Sequence, residues 1–310
     1  MNTPAIVIFC FNRPSEVLRL FDSLKNCLEF QRLPLYVFID GARNAQDYDL
    51  IEQTVQIVAS VDHPTKTVTH RDRNLGLKSS LRQGISQVLQ DHSAVIVLED
   101  DLVLGRFALE YFLGGLERFR EKSQVVSICG YAIGGSDSTE GAARFLPMTH
   151  PWGWATWQDR WAEHMVDSIV GPVKSPSFQK SMNVFGLRNY SQMLRLAESE
   201  LISSWWIYWQ LFAVNRHLVS LFPRHSQVVN EGVVSGGTHS SRNNPLAFAL
   251  PKHTPVQRSE VLPDSIFVDF RRLDEVIDSR EMRTMRIIGF LGMVRRRLKR
   301  AKKKLFRMPA

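Results

Sequence analysis

Three consecutive carboxylates, Glu99-Asp100-Asp101, follow directly on the apolar run Val95-Ile96-Val97-Leu98 and lead into Leu102-Val103-Leu104. The two halves of this stretch ask for opposite surroundings. An unbroken β-branched and aliphatic run fits a strand buried on both faces, whereas ionised acids held close together repel one another and lose hydration unless a cation neutralises them. The expected place for the acids is therefore the exposed carboxyl end of a central strand, beside a divalent metal, for which carboxylate oxygens are fitting ligands. A solvated acidic turn is the plainer reading of an acidic triplet, and the buried strand leading into this one shifts the balance toward the metal.

The elements before the triplet can be read from periodicity. Ala5 to Phe11 is an apolar strand, and Pro14 suits the first position of a helix whose buried face is Val17, Leu18, Phe21 and Leu24. Strands are expected at 35–39 and 66–70, with amphipathic helices at 47–60 and 77–90. This β-α alternation predicts an α/β domain with a mostly parallel sheet and helices on both faces, whose ligands sit at the carboxyl ends of the strands. Asn12, Asp40, Asn74 and the triplet all fall at such ends. A helix over about 107–120 and a strand over 124–129 complete this half.

The second half has a different character. Trp152, Trp154, Trp157 and Trp161 place four of the seven tryptophans within ten residues. Core packing is one reading; the other is a stacking platform for a sugar ring, since indole offers a flat apolar face and an N–H donor. Trp205-Trp206-Ile207-Tyr208-Trp209 reads as a core helix over 204–215, with a strand after it at 218–222. The glycine-rich stretch Asn230 to His239 lacks the Gly-Lys-Ser/Thr ending of a phosphate-binding P-loop.

Composition narrows the class. The chain of 310 residues is 44% hydrophobic, as expected for a globular fold, and its three cysteines, 10, 27 and 129, have no metal or disulfide spacing, which fits a reducing compartment. No signal peptide or apolar run of membrane-spanning length is evident. The net charge is +8, yet nine Lys or Arg and no acid fall between Arg295 and Ala310, so the body is near neutral. With Ile287, Leu291, Val294, Leu298 and Leu305 on one side, residues 287–307 read as a basic amphipathic helix for an anionic membrane surface. No nucleic acid is expected as a partner, because a polynucleotide would leave the apolar stripe unused. The expected location is cytoplasmic, at the inner face of the membrane.

Taken in order, Phe11-Asn12-Arg13-Pro14, Phe38-Ile39-Asp40-Gly41, Arg73-Asn74-Leu75-Gly76-Leu77, Val97-Leu98-Glu99-Asp100-Asp101, Trp152-Gly153-Trp154-Ala155-Thr156-Trp157, Ser204-Trp205 and Gly237-Thr238-His239 resemble the GT-A glycosyltransferases. More closely, the chain resembles bacterial nucleotide-sugar transferases related in fold to the N-acetylglucosaminyltransferase I group, from about Ala5 to His239. The resemblance implies a donor-binding half at 1–130, an acceptor-side half of the same domain at 131–265, and a basic helical tail at 266–310. It implies that Glu99-Asp100-Asp101 is the DxD-type motif, with Asp101 the direct ligand of Mn2+ or Mg2+ and His239 a further candidate ligand. Phe11, Asn12, Arg13, Asp40, Asn74, Gly76, Lys78, Glu99 and Asp100 would border the nucleotide of a nucleotide sugar, a UDP-sugar by default. Trp152, Trp154 and Trp157 would face the acceptor.

The implied activity is metal-dependent, inverting transfer of a monosaccharide to a glycan or lipid-linked acceptor, in assembly of cell-surface polysaccharide or lipopolysaccharide. An inverting displacement needs a carboxylate base for the acceptor hydroxyl. Relatives often carry Asp immediately before the Ser-Trp pair, where this chain has Ser203, and Val234 stands where an Asp would precede the Gly-Thr-His segment. Glu200, Glu198 and Asp159 are the candidates for the base, Glu200 first, with Glu231 also nearby. Two rival readings are a sugar-phosphate nucleotidyltransferase, which would want a basic glycine-rich loop after the first strand, and a degenerate glycan- or nucleotide-binding protein without catalysis.

Overall fold

Alternate residues of each central strand feed two different cores, one on either face of the sheet. Ile6, Ile8 and Cys10 of β1 (Ala5–Cys10) pack on one side with Val17, Leu20 and Phe21 of α1 (Pro14–Lys25), Ile51 and Val58 of α2 (Tyr48–Ser60) and Leu109 and Phe112 of α4 (Ala108–Arg118). Ala5, Val7 and Phe9 pack on the other side with Leu81, Ile85 and Val88 of α3 (Leu77–Val88) and with α8 (Trp206–Asn215). A period of two with apolar residues on both faces is the pattern of a doubly covered sheet. The computed structural model describes residues 3–133, 142–166, 175–184, 189–232 and 259–268.

Eight strands form the sheet in the order β3-β2-β1-β4-β8-β6-β9-β7. β2 (Leu35–Ile39), β3 (Lys66–His70), β4 (Ala94–Glu99), β6 (Val125–Cys129) and β9 (Val219–Phe222) run parallel to β1, while β8 (Trp154–Trp157) and β7 (Arg144–Leu146) run against them. The fold is thus α/β with a mostly parallel sheet and helices on both faces. From β1 the chain steps outward to β2 and β3, then returns through α3 to lay β4 on the opposite side of β1. This reversal opens a crevice at the carboxyl ends of β1 and β4, where open α/β sheets bind ligands. Phe9 pairs with Glu99 there. A two-stranded ribbon, β5 (Leu102–Leu104) against β10 (Val228–Asn230), carries residues 230–232 onto the same edge.

The strands and helices read from periodicity in the first half coincide with observed elements to within a few residues. Among the elements not anticipated are β5, β7, β8, β10 and the helices α5 (Gln158–Val166), α6 (Pro176–Met182) and α7 (Tyr190–Glu198). Near the end of the described chain, Leu262, Ile266 and Val268 pack on the core shared by α1, α2 and α4. His239, Val234 and the amphipathic stretch 287–307 lie outside the described residues. Among the described residues no helix is long and apolar enough to cross a membrane.

Candidate active site

The acidic triplet ends β4 at the reversal crevice and is held from three directions. Asp100 accepts from the Phe11 backbone N–H at 3.1 Å and from Arg13 Nη1 at 3.3 Å. Asp101 accepts from the same Arg13 nitrogen at 2.9 Å and from Asn230 Nδ2 at 3.0 Å, while its carbonyl takes the Glu231 N–H at 2.9 Å. Glu99 receives a hydrogen bond from the Trp205 side chain. Burial and the neighbouring acids push the Glu99 carboxyl up to about 8; burial and Asp101 push Asp100 up to about 7. Burial also raises Asp101, against the opposing pull of Arg13. Burial works against the Arg13 charge, but Asp100 and Asp101 more than offset it. A cluster whose ionisation is this unfavourable gains from a cation beside it.

Gly232 is required by this packing. A Cβ built on it would lie 2.2 Å from Asp101 Oδ2 and 2.8 Å from the Asp101 Cβ. Gly232→Ala is expected to displace the Asp101 carboxylate and weaken the affinity of the acidic cluster for a titrated divalent cation at least tenfold in calorimetry, while the midpoint of urea unfolding moves little. Unchanged affinity would show that the side chain at 232 has room that the packing denies it.

The outer loops are built on two further side chains. Asp40, at the end of β2, accepts the backbone N–H groups of Leu75 and Gly76, both at 2.9 Å, and Asn74 Nδ2 donates to the Gly41 carbonyl at 2.9 Å. These bonds hold the 71–76 loop against β2, and Gly41 allows the approach because a Cβ there would meet the Arg73 backbone at 2.5 Å. Asp40 and Asn74 therefore shape the rim through backbone contacts. Asn12 donates to Asp47 at 2.6 Å, and Asp47 also grips the Arg43 guanidinium, which lies 4.6 Å above the Phe11 ring. Arg43, Asp47, Asn230 and Gly232 were not singled out from sequence, since nothing in their local spacing marks partners 35 or 129 residues away.

Lys78, in the first turn of α3, sits 4.1 Å over the Tyr208 ring, and burial followed by Arg82 lowers its pKa while Glu200 raises it. Burial, then Glu198 and Glu200, raise the Tyr208 hydroxyl. With Trp205 on Glu99, these contacts bring the 198–208 stretch to the same edge as the triplet. Glu200 has φ +55°. It occupies the left-handed position that ends α7, where its N–H bonds Ala197 and the Leu201 N–H bonds Leu196, an arrangement that favours glycine. His217 ends α8 in the same way, with φ +54°, so the strain at Glu200 is not by itself a functional mark.

Two sequence expectations are corrected. Asp159 follows β8, whose antiparallel course pairs Trp157 with Ala94, the first residue of β4. That end lies roughly 16 Å along the sheet from Glu99. There Asp159 is ion-paired with Arg120 at 2.9 Å and with Arg160, so it is no base for this site. Trp154 and Trp157 are each 1% exposed and pack in opposite cores. Three residues apart on one strand, their rings point to opposite faces and neither offers a surface to a sugar. Trp154 instead stacks on Trp205 at 5.4 Å, backing the residue that touches Glu99. Trp152 differs: it is partly exposed, at the carboxyl edge just before β8, beside Tyr131 at 4.7 Å and His150 at 5.0 Å.

A mostly parallel sheet with carboxylates at the carboxyl ends of its central strands, where the strand order reverses, is the architecture of a GT-A fold. The sequence model of glycosyl transferase family 2 matches residues 5–164, more than half of the chain, and the protein belongs to that family. The family match does not bear on the N-acetylglucosaminyltransferase I group. Among solved structures, the chain is similar to TarS of S. aureus, at 12% identity and TM-score 0.38, over 61% of this chain and 33% of that one. It is also similar to the mannosyltransferase PcManGT of Pyrobaculum calidifontis, solved with GDP-Man and Mn2+, at 10% identity and TM-score 0.37 over 70% of this chain and 74% of that one. A third is glucosyl-3-phosphoglycerate synthase of Mycobacterium tuberculosis, at 15% identity and TM-score 0.33 over 51% of this chain and 57% of that one. The chain thus spans a third of the length of TarS. Comparison with curated protein sequences gives no match.

Proposed function

We propose that this protein is a glycosyltransferase that moves a monosaccharide from a nucleoside diphosphate sugar to a glycan or lipid-linked acceptor with inversion at the anomeric carbon, using Mn2+ or Mg2+. The observation that carries the reading is the carboxylate triplet at the β1–β4 reversal, faced by Arg13 and Asn230. Its oxygen donors suit a hard divalent cation, with Asp101 as the holding residue. Such a cation offsets the negative charge that grows on the leaving diphosphate as the sugar–phosphate bond breaks. The loops organised by Asp40, Asn74 and Asp47 shape the donor side. Trp152 offers the acceptor sugar a ring face on the other wall.

The acceptor hydroxyl needs a base. Glu200, with Glu198 beside it, is the candidate that the α7–α8 turn carries to this edge, Ser203 being unable to ionise. Loss of a general base lowers kcat by about 10²- to 10⁴-fold. Nucleoside diphosphate release with acceptor present, measured for Glu200→Gln and Glu198→Gln, is expected to fall by that amount in at least one variant with the donor KM unchanged. Full activity in both removes the base from these two positions. Glu200→Gly is expected to gain about 1 kcal/mol of stability from the left-handed position it relieves, while losing turnover. We further propose a place in cell-surface polysaccharide assembly at the inner face of a membrane, supported by the basic, apolar-striped composition of 287–307.

A further inference from the structure

The four carboxylate oxygens of Asp100 and Asp101 each meet a protein N–H donor: Phe11 N on Asp100 Oδ2, Arg13 Nη1 on Asp100 Oδ1 and Asp101 Oδ2, and Asn230 Nδ2 on Asp101 Oδ1. One of these donors, Arg13, carries a full positive charge and a long side chain, and a single nitrogen of it bridges both acids. Its backbone is restricted as the residue preceding Pro14 at the start of α1, which leaves the long side chain as the freer part. Phe11 N is backbone, and Asn230 is neutral and sits at the end of the β10–β5 ribbon. A divalent cation brought to Asp101 therefore meets the positive charge of Arg13 already seated on the pair.

We propose that Arg13 is the resident counter-cation of the Asp100–Asp101 pair and releases Asp101 to the incoming divalent ion, pairing instead with the donor's diphosphate, so that metal and nucleotide each strengthen the other's binding. The inference rests on the nucleotide-sugar reading above. Its physical content is an exchange of partners. Without nucleotide, a cation beside Asp101 weakens that residue's pairing with a guanidinium left to Asp100 and the field of Glu16. With a diphosphate in the crevice, the guanidinium has an anion of matching geometry. Arg13 is thus a positioning residue, and the coupling it creates is reciprocal.

Mn2+ titrated calorimetrically into the full chain, with and without saturating UDP and with GDP as a second nucleotide, tests this directly. The wild-type protein is expected to bind Mn2+ at least tenfold more tightly with nucleotide than without. Arg13→Ala is expected to bind Mn2+ alone about tenfold more tightly than wild type, and the nucleotide-dependent gain is expected to shrink at least fivefold. Arg13→Lys keeps the charge but not the planar fork, and should fall between the two; it gives the same reading if the alanine variant fails to fold. Arg19→Ala removes a neighbouring positive charge that pairs with Glu16 and Glu231 rather than with the triplet, and should leave both quantities unchanged. A wild-type gain that persists in full in Arg13→Ala or Arg13→Lys overturns the exchange while leaving the donor site intact. Equal effects of Arg19→Ala overturn it as a general charge effect. Absence of nucleotide binding by the wild-type chain, with or without metal, overturns the functional reading itself.

Discussion

Asp101→Ala is expected to lower kcat/KM for sugar transfer by about 10³-fold, equivalent to about 4 kcal/mol of lost transition-state stabilisation. The size follows from what the carboxylate does rather than from its contacts in the free protein. Asp101 adds negative charge to a site where burial already opposes ionisation and Asp100 and Glu99 stand alongside. Its removal therefore relieves repulsion in the free enzyme. The Arg13 and Asn230 donors lose a partner at the same time, so the two effects oppose and the folded protein should keep its urea midpoint, with the loss appearing in turnover and in metal-linked donor binding. Steady-state kinetics beside equilibrium unfolding would separate these. A variant that unfolds early and transfers sugar normally would reverse the assignment and make Asp101 a structural residue.

The second large effect lies in the tryptophans. Trp154 is 1% exposed, packed against Trp205 at 5.4 Å and Trp209 at 5.4 Å, so Trp154→Ala is expected to cost about 3–5 kcal/mol in urea unfolding. Its indole Nε1 is buried with no hydrogen-bond partner among the described residues, as are those of Trp206 and Trp209. Trp154→Phe deletes that unpaired donor along with part of the ring, and should cost much less than the alanine change. Trp152→Ala should behave oppositely, with a small stability loss and an acceptor KM raised several-fold at unchanged donor KM. If Trp152→Ala leaves acceptor KM unaltered, its ring is not part of the acceptor wall.

The first half of the chain was legible in the sequence because its central strands are nearly unbroken apolar runs and its helices repeat their apolar residues with a helical period. The position of the triplet at a strand's end was legible for the same reason. Asp159 shows where local reading stops. Its distance from the site depends on β8 inserting antiparallel between β4 and β6, and strand direction is set by long-range pairing that composition does not encode. Trp154 and Trp157 could have been separated by strand parity, had 154–157 been read as a strand. The partners of the acids were beyond reach: Asn230 meets Asp101 across 129 residues through a three-residue ribbon too short to carry a periodic signal. Asp47 resembles a helix-starting acid and is instead the buried anchor of Asn12 and Arg43.

Donor recognition at the β1–β4 crevice is the claim on which the rest depends, and a thermal-shift panel of nucleotide sugars with Mn2+ tests it most directly. The full chain should be stabilised by at least one nucleotide sugar, in a manner that grows with ligand concentration as binding to the native state requires. That stabilisation should be lost with chelator and in Asp101→Ala. A panel in which no nucleotide sugar raises the melting temperature, with or without metal, would contradict the account.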